Sequence, residues 1–275
     1  MLKLRSLLED ADPNELDPTR FPTKLSQVDP SKAKDYVAVG PEDGEPIEDD
    51  RIKVVTKSFS VQELKPSQSS MNINKALAQV VAMLLGKMPM GGNLGAFISI
   101  DNHIMDGHHR WVATGMIDPN AKVGGYQVNF PGDKLIPVLN ALTAGKFGKT
   151  QGKAATGGFD QFKEAPIRAT LEKYSREGIP NQKNPEYSKT PEDVAEAINI
   201  FTNGGTIDDA VAKFVTNVSK LNFELPTGAP SREDMPVIDG PDVTTAVNAL
   251  TKGEIDVNPP YKESVQQKFK RIARI

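Results

Sequence analysis

Residues 97–111 read Phe97-Ile98-Ser99-Ile100-Asp101-Asn102-His103-Ile104-Met105-Asp106-Gly107-His108-His109-Arg110-Trp111. With Ala96, the first four residues form an apolar-rich run of strand length. Asp101-Asn102 is a turn pair, and His103-Ile104-Met105 returns as a second short strand. Asp106-Gly107 ends that strand, and a helix follows from about His108 to Met116. The chain's three histidines and its one tryptophan all fall inside this stretch. Scarce functional side chains rarely gather so closely without a reason.

The helix start carries the chemistry. Its first backbone N–H groups have no partner within the helix, and the macrodipole adds partial positive charge there. Glycine at 107 lets a ligand approach the backbone. His108, His109 and Arg110 supply side-chain donors at the same end, a set that suits a phosphate group. Asp106 is placed to hold Mg2+ beside that phosphate or to act as a base. The candidate catalytic residues are therefore Asp106 and Arg110, with Gly107, His108, His109 and Arg110 as the binding set. A zinc or iron site built from His103, Asp106, His108 and His109 is the competing chemistry. It is disfavoured because adjacent helical side chains diverge by about 100°. His103 reads as a hairpin-surface residue, and Trp111, with Val112 and Met116, as a core anchor.

Upstream, Ile52, Val54 and Val55 suggest a strand, and Phe59, Val61 and Leu64 alternate with polar residues. Lys65-Pro66-Ser67 breaks that pattern. Ile73, Ala76, Leu77, Val80, Val81, Leu84 and Leu85 then follow helical spacing up to Gly86. Downstream, Tyr126-Gln127-Val128 reads as a strand and 135–144 as a helix. Thr190-Pro191-Glu192-Asp193 starts a helix over 191–202, Thr206 caps another, and further helices are expected at 241–251 and 262–273. The fold class is α/β (α+β), with a mixed first half and a mainly helical second half.

Composition narrows the field. The 275 residues carry a net charge of −3 and no cysteine. That excludes disulfides, thiolate metal sites and a cysteine nucleophile. No apolar run is long enough for a membrane span, so no membrane partner is expected. Residues 1–50 hold 6 Lys/Arg, 13 Asp/Glu and six prolines, a net of −7 that leaves +4 on the rest. They read as a flexible lead segment, with ordered structure starting near Arg51. The expected units are 1–50 lead segment, 51–145 α/β domain, 146–189 Gly/Lys-rich loop and linker, and 190–275 helical region.

Gly148-Lys149-Thr150 copies the end of a P-loop, but Thr143 stands where the first glycine belongs and no strand precedes it. A basic loop is the better reading, with Lys146, Lys149 and Lys153 available to phosphates of a nucleotide or nucleic acid. Arg168, Lys173 and Arg176 alternate with Glu164, Glu172 and Glu177, as on a solvated helix face.

Asp-Gly-His-His-Arg-Trp after a strand hairpin resembles the signature of the ParB/sulfiredoxin superfamily. It is closest to the branch containing ADP-dependent free-serine kinases and proteins labelled ParB-like nucleases. Phe59-Ser60-Val61-Gln62-Glu63-Leu64-Lys65-Pro66-Ser67-Gln68 and the helix at 73–85 match the family's order of strand, proline turn and helix. The resemblance spans roughly residues 52–140. It implies a ParB/sulfiredoxin-like N-terminal domain in which Gly107, His108, His109 and Arg110 bind nucleotide phosphates and Asp106 is catalytic or metal-linked. ATP, ADP or another nucleotide and Mg2+ are the implied cofactors. Gln68 stands near the position where the serine kinases place a carboxylate, with Glu63 as a nearby substitute. Without cysteine, sulfinic acid repair is excluded. No second, Glu-Asn-rich phosphate motif follows, as it does in the chromosome-partitioning members.

Leu7-Leu8-Glu9 resembles the cleavage site of capsid-targeting peptides in large tailed bacteriophages, cut after Glu9. The alternative there is a plain amphipathic start with Leu4, Leu7 and Leu8 on one face. The expected function is nucleotide-phosphate binding with phosphoryl transfer or nucleotide/phosphodiester hydrolysis, in a host cytoplasm or virion interior. The alternative is a non-catalytic virion, scaffold or nucleic-acid-binding protein with the same fold.

Overall fold

A computed structural model describes residues 21–29, 31–33, 37, 50–154, 157–181, 184–255 and 257. The expected N-terminal amphipathic start, Glu9 and the helix at 262–273 lie outside them. Five strands make one sheet: β1 (Val54–Ser60), β2 (Lys65–Pro66), β3 (Gly92–Ile98), β4 (His103–Ile104) and β5 (Lys122–Val128). Their order is β1-β5-β3-β4-β2. β5 runs antiparallel to β1 and parallel to β3, and β4 runs antiparallel to β3 and parallel to β2.

Seven α-helices are present among the described residues: α1 (Ile73–Leu84), α2 (His108–Ile117), α3 (Gly132–Gly145), α4 (Glu164–Glu177), α5 (Pro191–Thr202), α6 (Ile207–Val218) and α7 (Asp242–Thr251). Everything after β5 in the described chain is helix and loop. The fold is α+β, as the mixed pattern of the first half implies.

Alternation along the strands sorts side chains into two cores. Ile98 and Ile104 join Phe59, Val61 and Leu64 beneath α1, α2, α4, α5 and α6. Their neighbours Phe97 and Met105 face the other way, toward Val128, Phe130, α3 and α7. Helices therefore cover both faces of the sheet. α2 is buried on almost every side, including Trp111, Val112, Ala113 and Met116, which is how a helix behaves inside a core. α5 and α6 start in capping boxes. Thr190 and Thr206 each accept a first-turn N–H, and Asp193 and Asp209 reach back to the capping residue's own N–H.

Three expectations need correction. Packed structure starts well before Arg51: Phe21, Leu25 and Val28 are buried, and Asn140 on α3 donates to the Pro22 carbonyl. The 146–189 stretch includes the 14-residue α4. Its charged face is solvated, but Ile167, Leu171 and Tyr174 close the first core. β5 starts at Lys122, not Tyr126, because Gly124-Gly125 lies inside the strand instead of ending it.

That glycine pair is a requirement of strand approach. A Cβ on Gly125 would lie 2.4 Å from the Ala96 carbonyl oxygen on β3. Gly125→Ala is therefore expected to push β3 and β5 apart and cost at least about 1–3 kcal/mol, as overpacking does. Urea unfolding would measure it; an unchanged midpoint would contradict the close approach.

Candidate functional site

Gly107 is the N-cap of α2 at φ +80°, in the left-handed region that favours glycine, and no side chain caps the helix. Asp106 Oδ1 accepts the Gly107 N–H at 2.7 Å; its other oxygen has no hydrogen-bond partner among the described residues. The helix start opens into a small cleft of about 80 Å³, lined by Asp106, Gly107, His108, His109, Arg110 and, from elsewhere, Gln68, Lys75, Gln79, Lys153 and Arg232.

The two histidine rings face the wall of this cleft. His108 Nε2 accepts the backbone N–H of Ser67 at 3.1 Å, and His109 Nε2 accepts that of Asn72 at 3.2 Å. Both rings are buried, and an acceptor at Nε2 puts the proton on Nδ1. Burial, followed by the nearby Arg232 charge, lowers the His108 pKa to about 3. Burial, followed by the Lys75 charge, lowers that of His109 to about 2. These are neutral clamps holding the Ser67–Asn72 loop against α2, not cationic phosphate donors.

Arg110 is similarly engaged. Its Nη2 donates to the Gly91 carbonyl at 2.7 Å and its Nη1 to the Asn93 carbonyl at 3.3 Å, while Nε is buried without a partner. The side chain pins the approach to β3. His103 is buried, not surface-exposed, with Nδ1 3.2 Å from Asp101 Oδ2. It packs against Gly132 at the start of α3, away from the cleft. Among the described residues no three His, Asp or Glu side chains converge as a metal site. The four-ligand zinc or iron set is thus not assembled.

The cations of the cleft come from elsewhere. Lys75 lies on α1. Arg232 arrives because Ser69 N–H donates to the Pro230 carbonyl and Arg232 N–H donates to Ser70 Oγ. Lys153 is brought in beside them by Gly152 N–H on the Glu233 carbonyl. The Ser67–Asn72 loop is thus a hub, tied to α2 on one side and to 230–232 on the other. Burial first, then the Arg232 and Lys153 charges, hold the Lys75 ammonium below its ordinary pKa. Burial also lowers the Arg232 pKa, partly offset by Asp106. Lys153 is paired with Asp239, and Lys75 and Arg232 beside Asp106 leave the cleft electropositive.

The other sequence candidates are accounted for. Gln68 lines the cleft and donates to the Ser70 carbonyl. Glu63 does not reach the cleft; its carboxylate accepts the Ser60 N–H and closes a turn. Lys146, Lys149 and Lys153 pair with Glu254, Asp242 and Asp239. That commits the basic loop to holding the 239–254 segment. The P-loop look-alike lies at the C-terminal end of α3, where no helix start could receive a phosphate.

Compared with protein-family models, curated proteins and solved structures, the chain matches none. No helix of the described residues is long and apolar enough to cross a membrane. Lys75, Gln79 and Arg232 escape sequence reading. Lys75 and Gln79 share a helix face by their spacing of four, but nothing local says what that face meets. Arg232 lies in a Ser-Arg-Glu-Asp run that resembles any solvated loop.

Proposed function

We propose that the Gly107 cleft binds a phosphate group of a nucleotide, and that the chain is a ParB/sulfiredoxin-like protein supporting phosphoryl transfer or nucleotide/phosphodiester hydrolysis. The observation that carries this is the convergence of Lys75 and Arg232 on the uncapped start of α2, beside Asp106. About 80 Å³ suits one phosphate group. The backbone N–H groups after Gly107, with Lys75 and Arg232, hold it. His108, His109 and Arg110 shape the site from behind by fixing its walls.

Asp106 is the residue assigned to chemistry. With one oxygen on the Gly107 N–H and the other open, it is oriented to accept a proton from a nucleophile. The same oxygen would hold Mg2+, an ion commonly bound by one or two carboxylates plus phosphate oxygens. Bound there, the ion would neutralise charge on the phosphate.

A second reading, binding without catalysis in a virion, scaffold or nucleic-acid-binding protein, is favoured by one feature. Gln68 faces the cleft where a second carboxylate would stand, which leaves Asp106 without a partner acid. ATPase and plasmid-nicking assays on wild type and Asp106→Ala separate the two: activity abolished by the substitution excludes the scaffold-only reading.

Calorimetry with ATP, ADP, CTP and GTP, with and without Mg2+, tests binding itself. Arg232→Ala and Lys75→Ala should each weaken it about tenfold or more, the scale of a charged hydrogen bond. Binding that neither substitution changes would rule out this cleft as the phosphate site.

A further inference from the structure

The phosphate cleft opens beside a larger groove of about 890 Å³ between α1 and the Ile179–Lys189 loop. Two residues, Lys75 and Gln79, line both spaces. We propose that this groove receives the nucleobase-bearing half of the nucleotide whose phosphate occupies the Gly107 cleft. The inference rests on the phosphate-binding reading and adds to it the place where the organic part of the ligand sits.

Size is the first argument. Small-molecule sites run to about 300–1,000 Å³, a range that contains the groove and not the cleft. A nucleotide held by its phosphate at Gly107 must place its nucleoside outside that cleft. Two spaces of that size adjoin it: one of about 340 Å³ shares Asp106 with the cleft, and the groove of about 890 Å³ shares Lys75 and Gln79.

Lining chemistry is the second. Met88, Ile179 and Pro180 give the groove apolar walls. Tyr187 is 62% exposed, one of the few large apolar side chains left open to solvent. The described residues on either side of it are tied together. Ile179 and Lys189 exchange backbone hydrogen bonds, Asn181 N–H donates to Ser188 Oγ, and Lys189 Nζ donates to the Tyr187 carbonyl. A flat aromatic ring lining the same groove as apolar side chains is a stacking surface for a base. At the junction, Gln79 Oε1 is buried without a hydrogen-bond partner. A buried acceptor left unpaired is costly, and a ribose hydroxyl or an exocyclic amine would satisfy it.

Charge separates a mononucleotide from a polynucleotide strand. A strand needs free cations along its track. Lys87 is paired with Asp193, and Lys189 is spent on the carbonyls of its own loop. Among the described residues that line the groove, Lys75 is the one lysine left without a partner, at the end next to the phosphate cleft. The groove therefore offers a stacking wall with a single phosphate end.

Isothermal titration of the full chain with inorganic pyrophosphate and with ADP, GDP, CDP and UDP tests this, using wild type, Tyr187→Ala, Gln79→Ala and Arg232→Ala. At least one nucleotide should bind wild type more tightly than pyrophosphate does. Tyr187→Ala should weaken that nucleotide about tenfold, as loss of a base–aromatic stack does, and leave pyrophosphate unchanged. Gln79→Ala should act in the same direction, whereas Arg232→Ala should weaken both ligand types. Pyrophosphate binding as tightly as every nucleotide overturns the groove assignment, as does Tyr187→Ala weakening neither ligand or both equally. In each of these cases the phosphate reading stands. If wild type binds neither pyrophosphate nor any nucleotide, both readings fall together.

Discussion

Acidification from pH 7 toward pH 4 should strip this protein of much of its stability, starting above the range where carboxylates titrate. His108 and His109 are held neutral, with pKa values lowered from 6.5 to about 3 and about 2. A lowered folded-state pKa means that the unfolded chain takes up protons that the folded chain refuses. The linked stability is complete above pH 6.5 and is lost progressively as pH falls toward 3 and 2. At about 1.4 kcal/mol per pH unit, the loss by pH 4 is roughly 3 kcal/mol for each ring. Typical domains have only about 5–15 kcal/mol in total. Urea unfolding at pH 7, 6, 5 and 4 should show the midpoint falling from the first step. His108→Gln/His109→Gln should flatten that dependence, since an amide oxygen can accept the same N–H groups without titrating. A wild-type midpoint that stays level between pH 7 and pH 5 would contradict the neutral-clamp assignment.

Trp111→Ala is expected to be the most damaging single substitution in the α2 region. The indole is fully buried, and its Nε1–H donates to the Val61 carbonyl at 2.8 Å. Phe223 meets the ring edge-on, with centroids 5.7 Å apart. Truncating a buried aromatic costs about 3–5 kcal/mol, and the stranded Val61 carbonyl adds about 1–3 kcal/mol. At about 2–4 °C per kcal/mol for a chain of this size, the thermal midpoint should drop by more than about 10 °C. Circular dichroism is the probe, because the substitution removes the only tryptophan. Trp111→Phe keeps most of the packing and should lose little more than the hydrogen bond. Equal losses for Ala and Phe would mean that the hydrogen bond, not the packing, dominates.

Local signals were readable and remote ones were not. α1, α5 and α6 follow the apolar spacing and the Thr caps to within a residue or two, because periodicity and capping are properties of neighbours in sequence. The hairpin and helix start at 97–111 fold as their turn residues dictate. The first residues of β5 escape because Gly125 is required by a carbonyl on β3, that of Ala96, which no local pattern announces. The burial of Phe21 and Leu25 is masked by the acidic, proline-rich composition around them.

The site divides along the same line. Asp106 and Gly107 lie where strand-to-helix logic puts them. The histidine and arginine side chains turn to backbone groups of distant segments, whose positions no local pattern encodes. Lys75 and Arg232, the cations that take over, meet only because the Ser67–Asn72 loop is tied on both sides.

That loop offers an unusual spectroscopic handle. The Ser67 and Asn72 amides donate to ring nitrogens, whereas most amides donate to oxygen, so in 15N-labelled protein each contact should transmit a nitrogen-to-nitrogen scalar coupling across its hydrogen bond. Two cross-peaks would then report, without any ligand or assay, whether the walls of the cleft are in place. Their loss, amide by amide, would mark the order in which the loop lets go.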